Sequence, residues 1–187
     1  MLKHNTSEKK ILRLAFLFCL FCDDFGDGVL DPNWTYIKPT WTESGGSLQG
    51  SSSKKAIAVA TPIFSGCSNC SIQTSLLTQG GPGNRVWLLG WYIDKLNKIE
   101  LLMKEEKDLW VLKQRSHGFV IAKAKASATI DPNVAYAVVL SFDGTQFTIT
   151  IDGNPLITLT PKGTVPTGTI GLQARGTTAL FDYINVN

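Results

Sequence analysis

The sequence predicts an all-β protein built as a two-sheet antiparallel sandwich. Three features favour this fold: many short runs that alternate apolar and polar residues, tight turns rich in Gly, Asn and Asp between them, and no convincing helical period. Seventeen glycines and eight prolines fit short strands and turns better than long helices. At 187 residues, 43% of them hydrophobic, the chain is long enough for one domain with a substantial core.

The predicted strands follow one another without a linker or repeat that would divide the chain. In chain order they are a strand end and turn at 23–28, a strand at 34–36, a strand–turn–strand unit at 41–50, strands at 56–60, 71–78, 85–93, 98–104, 109–115, 119–125, 136–142 and 146–151, a turn at 152–155, and closing strands that include 168–173 and 179–186. The strongest hairpin signal is Asp143-Gly144 between two alternating runs. Ten or more strands without a helix predict two packed sheets.

The N-terminal segment differs from the rest. Lys9, Lys10 and Arg13 precede an apolar run at 14–22, which is the order of a secretion signal. Nine apolar residues are too few to cross a bilayer as a helix, so no stable transmembrane span is expected. We therefore predict a leader at 1–20, a sandwich domain at 21–187, and a secreted or cell-surface location. The alternative is that 18–25 is a buried first strand behind an unstructured tail.

The cysteines form two Cys-x-x-Cys pairs. Cys19 and Cys22 are assigned to the leader, whereas Cys67 and Cys70 lie in a turn of small residues before the strand at 71–78. The pairs are too far apart in sequence for a zinc ribbon. We predict a local disulfide between Cys67 and Cys70, with free thiols as the alternative.

Charge gives no indication of a nucleic-acid partner. The net charge is only +3, and Lys and Arg are scattered along the sequence instead of forming one basic run.

Several turn and strand residues resemble the concanavalin A-like lectin/glucanase superfamily. They are Asp23-Asp-Phe followed by Asp27-Gly28, the early Trp34, the turn at 45–50, Ile151-Asp-Gly-Asn, and the closing segments at 168–172 and 181–186. The resemblance covers about 21–187 and is nearest to laminin-G-like and 3-keto-disaccharide-hydrolase-type domains of secreted bacterial proteins. It implies a jelly-roll sandwich whose first and last strands pair. It says little about activity, because the shared residues are mostly turn and core residues.

Catalytic residues are not evident. Laminarinase-type glucanases of this superfamily carry E-x-D-x-x-E on one strand, and no stretch here matches it. The densest acidic cluster, at 105–108, lies on a predicted turn where the carboxylates are solvated. The two histidines, His4 and His117, lie in the leader and in a turn. An ordinary enzyme is therefore not favoured, although a substrate-assisted one stays open.

The middle strands hold the best candidate binding residues. Sugar rings pack on aromatic side chains while charged and amide groups bind their hydroxyls. Alternation along 85–93 predicts Trp87 and Trp91 on one face together with Arg85. The predicted ligand-binding residues are Arg85, Trp87, Trp91, Glu100, Trp110, Lys113 and Arg115. The alternative is that the tryptophans belong to the core and that the charged residues form a solvated face.

The resemblance also implies a structural calcium ion where the first and last strands meet. Asp24 and Asp182 would be its ligands, and the alternative is that they cap turns or face solvent. The leading functional hypothesis is a noncatalytic, lectin-like module that binds a polysaccharide or glycan on a concave sheet. The alternatives are a structural or adhesive domain with a protein ligand, and a glycoside hydrolase with unrecognised catalytic residues.

Overall fold

A computed structural model describes residues 19–37, 40–53, 58–62 and 68–187. This part of the chain contains fifteen strands and one short 3-10 helix, Glu105–Lys107, which confirms the all-β prediction. The strands are β1 (Phe21–Asp23), β2 (Trp34–Ile37), β3 (Thr40–Ser44), β4 (Ser47–Ser52), β5 (Ala58–Pro62), β6 (Ser71–Thr78), β7 (Arg85–Tyr92), β8 (Lys98–Lys104), β9 (Leu109–Ser116), β10 (Phe119–Ser127), β11 (Tyr136–Phe142), β12 (Phe147–Ile151), β13 (Asn154–Leu159), β14 (Thr169–Arg175) and β15 (Thr177–Val186).

The strands form two antiparallel sheets that pack as a sandwich. The eight-stranded sheet has the order β13-β12-β11-β6-β15-β4-β3, and β1 pairs with β15 beside this path. The seven-stranded sheet has the order β10-β9-β8-β7-β14-β5-β2. One continuous apolar core lies between the sheets and contains Leu88, Trp91 and Leu112 from the seven-stranded sheet and Ile72 and Leu140 from the eight-stranded sheet. Burial of this core supplies the main stabilisation of the fold.

The two ends of the described chain meet, as the resemblance implied. Phe21 lies opposite Val186, and Asp23 lies opposite Ile184. The Asp23 carboxylate accepts hydrogen bonds from the Trp34 indole nitrogen at 2.7 Å and from a backbone amide at 3.0 Å. It therefore ties β1 to the start of β2.

The assignment of the first cysteine pair to the leader is wrong for Cys22. This residue lies in β1, and it forms a disulfide with Cys19. The disulfide thus links Cys19, which precedes β1, covalently to the first strand. Residues 1–18 lie outside the described part, so export by a leader stays a prediction. No helix among the described residues is long and apolar enough to cross a membrane.

One strand was not predicted. Asn154 and Pro155 form the start of β13, whereas the sequence placed both in a turn. Proline cannot donate a ladder hydrogen bond, and it is accommodated because β13 is the edge strand of its sheet.

Candidate functional site

A hollow of about 380 Å³ lies on the outer face of the seven-stranded sheet, away from the inter-sheet core. Its size is within the ~300–1,000 Å³ typical of ligand pockets. The residues around it come from five neighbouring strands, β5, β14, β7, β8 and β9, and from the turn between β7 and β8. They are Val59, Arg85, Trp87, Tyr92, Lys95, Lys98, Glu100, Leu102, Lys113, Arg115 and Gln173. We call this set the basic hollow.

Strand register explains the floor of the basic hollow. Trp87 lies opposite Gln173 on one side and Leu102 on the other, and directly opposed residues in a sheet share a face. Trp87 and Leu102 pack with Leu89 and Val111 in a small apolar cluster that is separate from the main core. The floor is therefore apolar and partly aromatic, with an amide side chain beside the indole ring.

The wall of the basic hollow is an ion network around Glu100. Lys113 Nζ and Arg115 Nε each lie 3.0 Å from Glu100 Oε1, and Lys98 Nζ lies 3.3 Å from Oε2. Burial alone raises the pKa of Glu100, but the charges of Lys113, Lys98 and Arg115 outweigh it and hold that pKa below its usual range. Glu100 is therefore an ionised hydrogen-bond acceptor at neutral pH. Lys98 also lies 6.0 Å from the centre of the Tyr92 ring.

The structure brings together five of the seven residues predicted to bind a ligand: Arg85, Trp87, Glu100, Lys113 and Arg115. The other two, Trp91 and Trp110, lie in the inter-sheet core.

Trp91 was expected to share the face of Trp87, and that prediction is wrong. The residue has a φ of +47°, and the pairing of β14 with β7 shifts register here. This bulge turns the Trp91 side chain into the core, where its ring lies 4.8 Å from that of Phe147. The neighbouring Tyr92 consequently lines the basic hollow instead. Gly168 permits the close approach of β14, since a Cβ there would meet the Trp91 backbone at 2.6 Å.

Strand alternation excludes Trp110 from the outer face of the seven-stranded sheet, where the basic hollow lies. It lies three positions before Lys113 on β9, so the two side chains point to opposite faces of the sheet. Trp110 is only 1% exposed and packs edge-to-face against Tyr136 of the other sheet. Its expected role as a ligand-binding residue is therefore wrong.

Sequence reasoning missed several residues of the basic hollow. Lys98 alternates with Glu100 on β8 and could have been found from that spacing. Gln173 and Val59 come from β14 and β5, whose placement beside β7 follows from the sheet order and carries no local signal. Lys95 lies in the turn between β7 and β8, where strand alternation assigns no face.

The cations scattered through the sequence meet on this face. Lys123 lies opposite Lys113, Lys125 lies opposite Val111, and Arg175 lies opposite Arg85. Burial, together with the positive charges of Arg85 and Lys113, lowers the pKa of the Lys104 amino group. Cations that are scattered along the sequence therefore form one basic surface, because adjacent strands bring together residues that are far apart in sequence.

The predicted calcium ligands are engaged by the protein itself. The Asp182 carboxylate accepts hydrogen bonds from the Ser47 and Ser75 hydroxyls at 2.8 and 2.9 Å. The Asp24 carboxylate accepts one from the Gly26 amide at 3.2 Å. Within the described ranges, no group of three or more His, Cys, Asp or Glu side chains is placed to hold a metal ion. Calcium stays a prediction.

The predicted disulfide of the second cysteine pair also stays a prediction, because Cys67 lies outside the described residues. Cys70 is buried, and it is not a free thiol.

Known structures share this fold. The carbohydrate-binding module CBM66 from Bacillus subtilis aligns with a TM-score of 0.70 and 22% identity over 81% of this chain and 93% of its own. A β-1,3-1,4-glucanase (lichenase) derived from a mouse hindgut metagenome aligns with a TM-score of 0.76 and 11% identity over 91% of this chain and 99% of its own. A Bacillus licheniformis β-glucanase aligns with a TM-score of 0.74 and 8% identity over 89% of this chain and 97% of its own.

These likenesses establish the fold, a concanavalin A-like jelly-roll sandwich, as the resemblance implied. No family model and no curated protein sequence matches the chain. At such low identity, function has to be argued from the site itself.

Proposed function

We propose that this chain is a noncatalytic carbohydrate-binding domain of an exported or cell-surface protein, and that it binds a glycan in the basic hollow. The observation that carries the proposal is the combination of an aromatic floor at Trp87 and Tyr92 with a ring of hydrogen-bonding groups around it. Aromatic rings pack against the apolar faces of sugars, while charged and amide groups bind hydroxyls. Gln173 provides such an amide, and Lys113 and Arg115 provide such charged groups.

The presence of one carboxylate among the described residues of the basic hollow favours binding over hydrolysis. Two-carboxylate glycoside hydrolysis needs a second acid about 5 to 9.5 Å from the first, with one of the pair protonated. Glu100 is the one carboxylate among the described residues that line the basic hollow, and its lowered pKa keeps it ionised. A general acid is therefore lacking on this part of the face.

The disulfide between Cys19 and Cys22 supports an extracytoplasmic location, since disulfides persist in oxidising compartments. Fusing residues 1–20 to a reporter without its own signal tests export. A reporter that stays in the cytoplasm would contradict that part of the proposal.

The binding proposal is tested with a broad polysaccharide panel in affinity gel electrophoresis. We expect retardation of the wild type by at least one polysaccharide, a clear loss of it in Trp87→Ala, and no change in Tyr183→Ala, which removes a ring from β15 on the other sheet. Gln173→Ala provides a second hollow variant should Trp87→Ala fold poorly, and thermal unfolding monitors folding of all three. Absence of retardation across the panel, or equal retardation of the hollow variants, would overturn the proposal. Release of reducing sugar by the wild type would favour the glycosidase alternative.

A further inference from the structure

The basic hollow carries an excess of positive charge. Among the described residues that line it, five carry a cationic side chain and one, Glu100, carries a carboxylate; the cations are Arg85, Lys95, Lys98, Lys113 and Arg115. The net charge of the lining is therefore +4, whereas the whole chain carries only +3.

Two of these cations, Lys98 and Lys113, are not freely solvated. The Lys98 side chain is 9% exposed, and that of Lys113 is 15% exposed. Both share one carboxylate with Arg115, so Glu100 balances a single charge out of three. Partly buried cations without their own counterions are costly in water-poor surroundings, and a bound anion relieves that cost.

The positive region continues beyond the basic hollow. Lys123 and Lys125 extend it across β10, and Lys104 extends it along β8. A chain with repeated negative charges could follow this direction, from β7 across β8 and β9 to β10, while one of its residues occupies the floor.

We infer that the carbohydrate bound in the basic hollow is acidic, with carboxylate or sulfate groups that contact Lys98, Lys113 and Arg115 while a sugar ring packs on Trp87. This inference rests on the proposed function. Arg115 offers a planar guanidinium suited to carboxylate and sulfate oxygens, and the two lysines act as point charges beside it. The aromatic floor favours an acidic glycan over a simple polyanion, because charge alone does not require Trp87.

Matched polysaccharides distinguish the failure of this inference from the failure of the proposed function. The pairs are polygalacturonate with its methyl ester, and dextran sulfate with dextran. We expect affinity for the acidic member to exceed that for its neutral partner by on the order of tenfold or more, and to fall as salt rises. The two pairs separate carboxylate from sulfate as the recognised group.

Equal affinity for the neutral and acidic members would overturn the inference and leave the proposed function standing. No binding to any polysaccharide would overturn both. Poly-glutamate and single-stranded DNA serve as polyanions without an acidic sugar. Binding to either as tight as to the acidic polysaccharides would overturn recognition of a glycan in favour of general polyanion binding.

Variants locate the recognised charge. Lys113→Gln and Arg115→Gln should each weaken binding of the acidic polysaccharide by on the order of tenfold. Lys162→Gln removes the same charge from an exposed site outside the basic hollow and should weaken binding far less than Lys113→Gln.

Glu100→Gln should change affinity for the acidic polysaccharide in the direction opposite to Lys113→Gln and Arg115→Gln. It frees three cations for the ligand and should tighten binding of the acidic polysaccharide, which a merely structural role of Glu100 would not do. Equal effects of Lys113→Gln and Lys162→Gln, or weaker binding by folded Glu100→Gln, would contradict the inference.

Discussion

Glu100→Gln removes the charge that three cations share while it keeps the shape of the side chain. Lys113 and Arg115 lie 3.0 Å and Lys98 lies 3.3 Å from the carboxylate oxygens, and Glu100 itself is 3% exposed. Loss of one partner from a buried ion pair costs about 3 to 5 kcal/mol. Solvent screens Arg115, whose side chain is 29% exposed, so we expect the lower end, about 3 kcal/mol.

Urea unfolding, monitored by tryptophan fluorescence, measures this loss of stability. With a urea slope of ~2 to 3 kcal/mol/M, the midpoint should fall by roughly 1 M at pH 7. Asp131→Asn removes a negative charge from an exposed position, and it should change stability by less than about 0.5 kcal/mol.

The pH dependence gives a second check on Glu100. Its pKa is lowered in the folded state, so its contribution is present above the unfolded pKa of about 4.5 and is lost as pH falls through the folded value. The difference between wild type and Glu100→Gln should therefore shrink in acid. A midpoint shift at pH 7 no larger than that of Asp131→Asn would refute this account of the ion network.

Two further predictions concern other parts of the fold. Burial, a hydrogen bond that the protonated Glu43 carboxyl donates to Asp27, and nearby negative charges raise the pKa of Glu43 to about 7. Its stabilising contribution is therefore full below the unfolded pKa of about 4.5 and is lost as pH rises through 7. Glu43→Gln should remove up to about 3 kcal/mol of that decline, and thermal stabilities of wild type and variant that stay parallel between pH 5 and pH 8 would contradict it. A Cβ at Gly90 would lie 2.9 Å from Ile72 Cδ1 and 3.0 Å from Leu140 Cδ2, so Gly90→Ala should cost about 1 to 3 kcal/mol in urea unfolding. Adding Ile72→Val should recover part of that loss, and strict additivity of the two changes would count against the steric cause.

Local sequence patterns predicted the strands well but not all of their faces. Alternation along β7 puts Val86 and Leu88 on one face of the strand and Trp87 on the other, and the structure agrees. It failed at Trp91 because a bulge with positive φ reverses the alternation, and non-glycine residues rarely adopt that conformation. The face of Trp110, by contrast, follows from its spacing of three residues, an odd number, from Lys113. The sequence could therefore have predicted that Trp110 lies outside the site.

The charge of the candidate site depended on topology. Lys98, Glu100, Lys113 and Arg115 come from the β8–β9 hairpin, so the sequence could predict their proximity. Gln173 joins them only because β14 returns beside β7, a pairing of residues far apart in the chain. Composition could show a net charge of +3, but not its concentration on one face.

Indole resonances of the five tryptophans test binding in the basic hollow most directly. Titration of the 15N-labelled protein with an acidic oligosaccharide, such as a short polygalacturonate, should shift the Trp87 Nε1–H signal. The signals of Trp91 and Trp110, buried between the sheets, should stay nearly unchanged. A Trp87 signal that does not move at saturating oligosaccharide, while other resonances do, would place the ligand elsewhere and contradict the account.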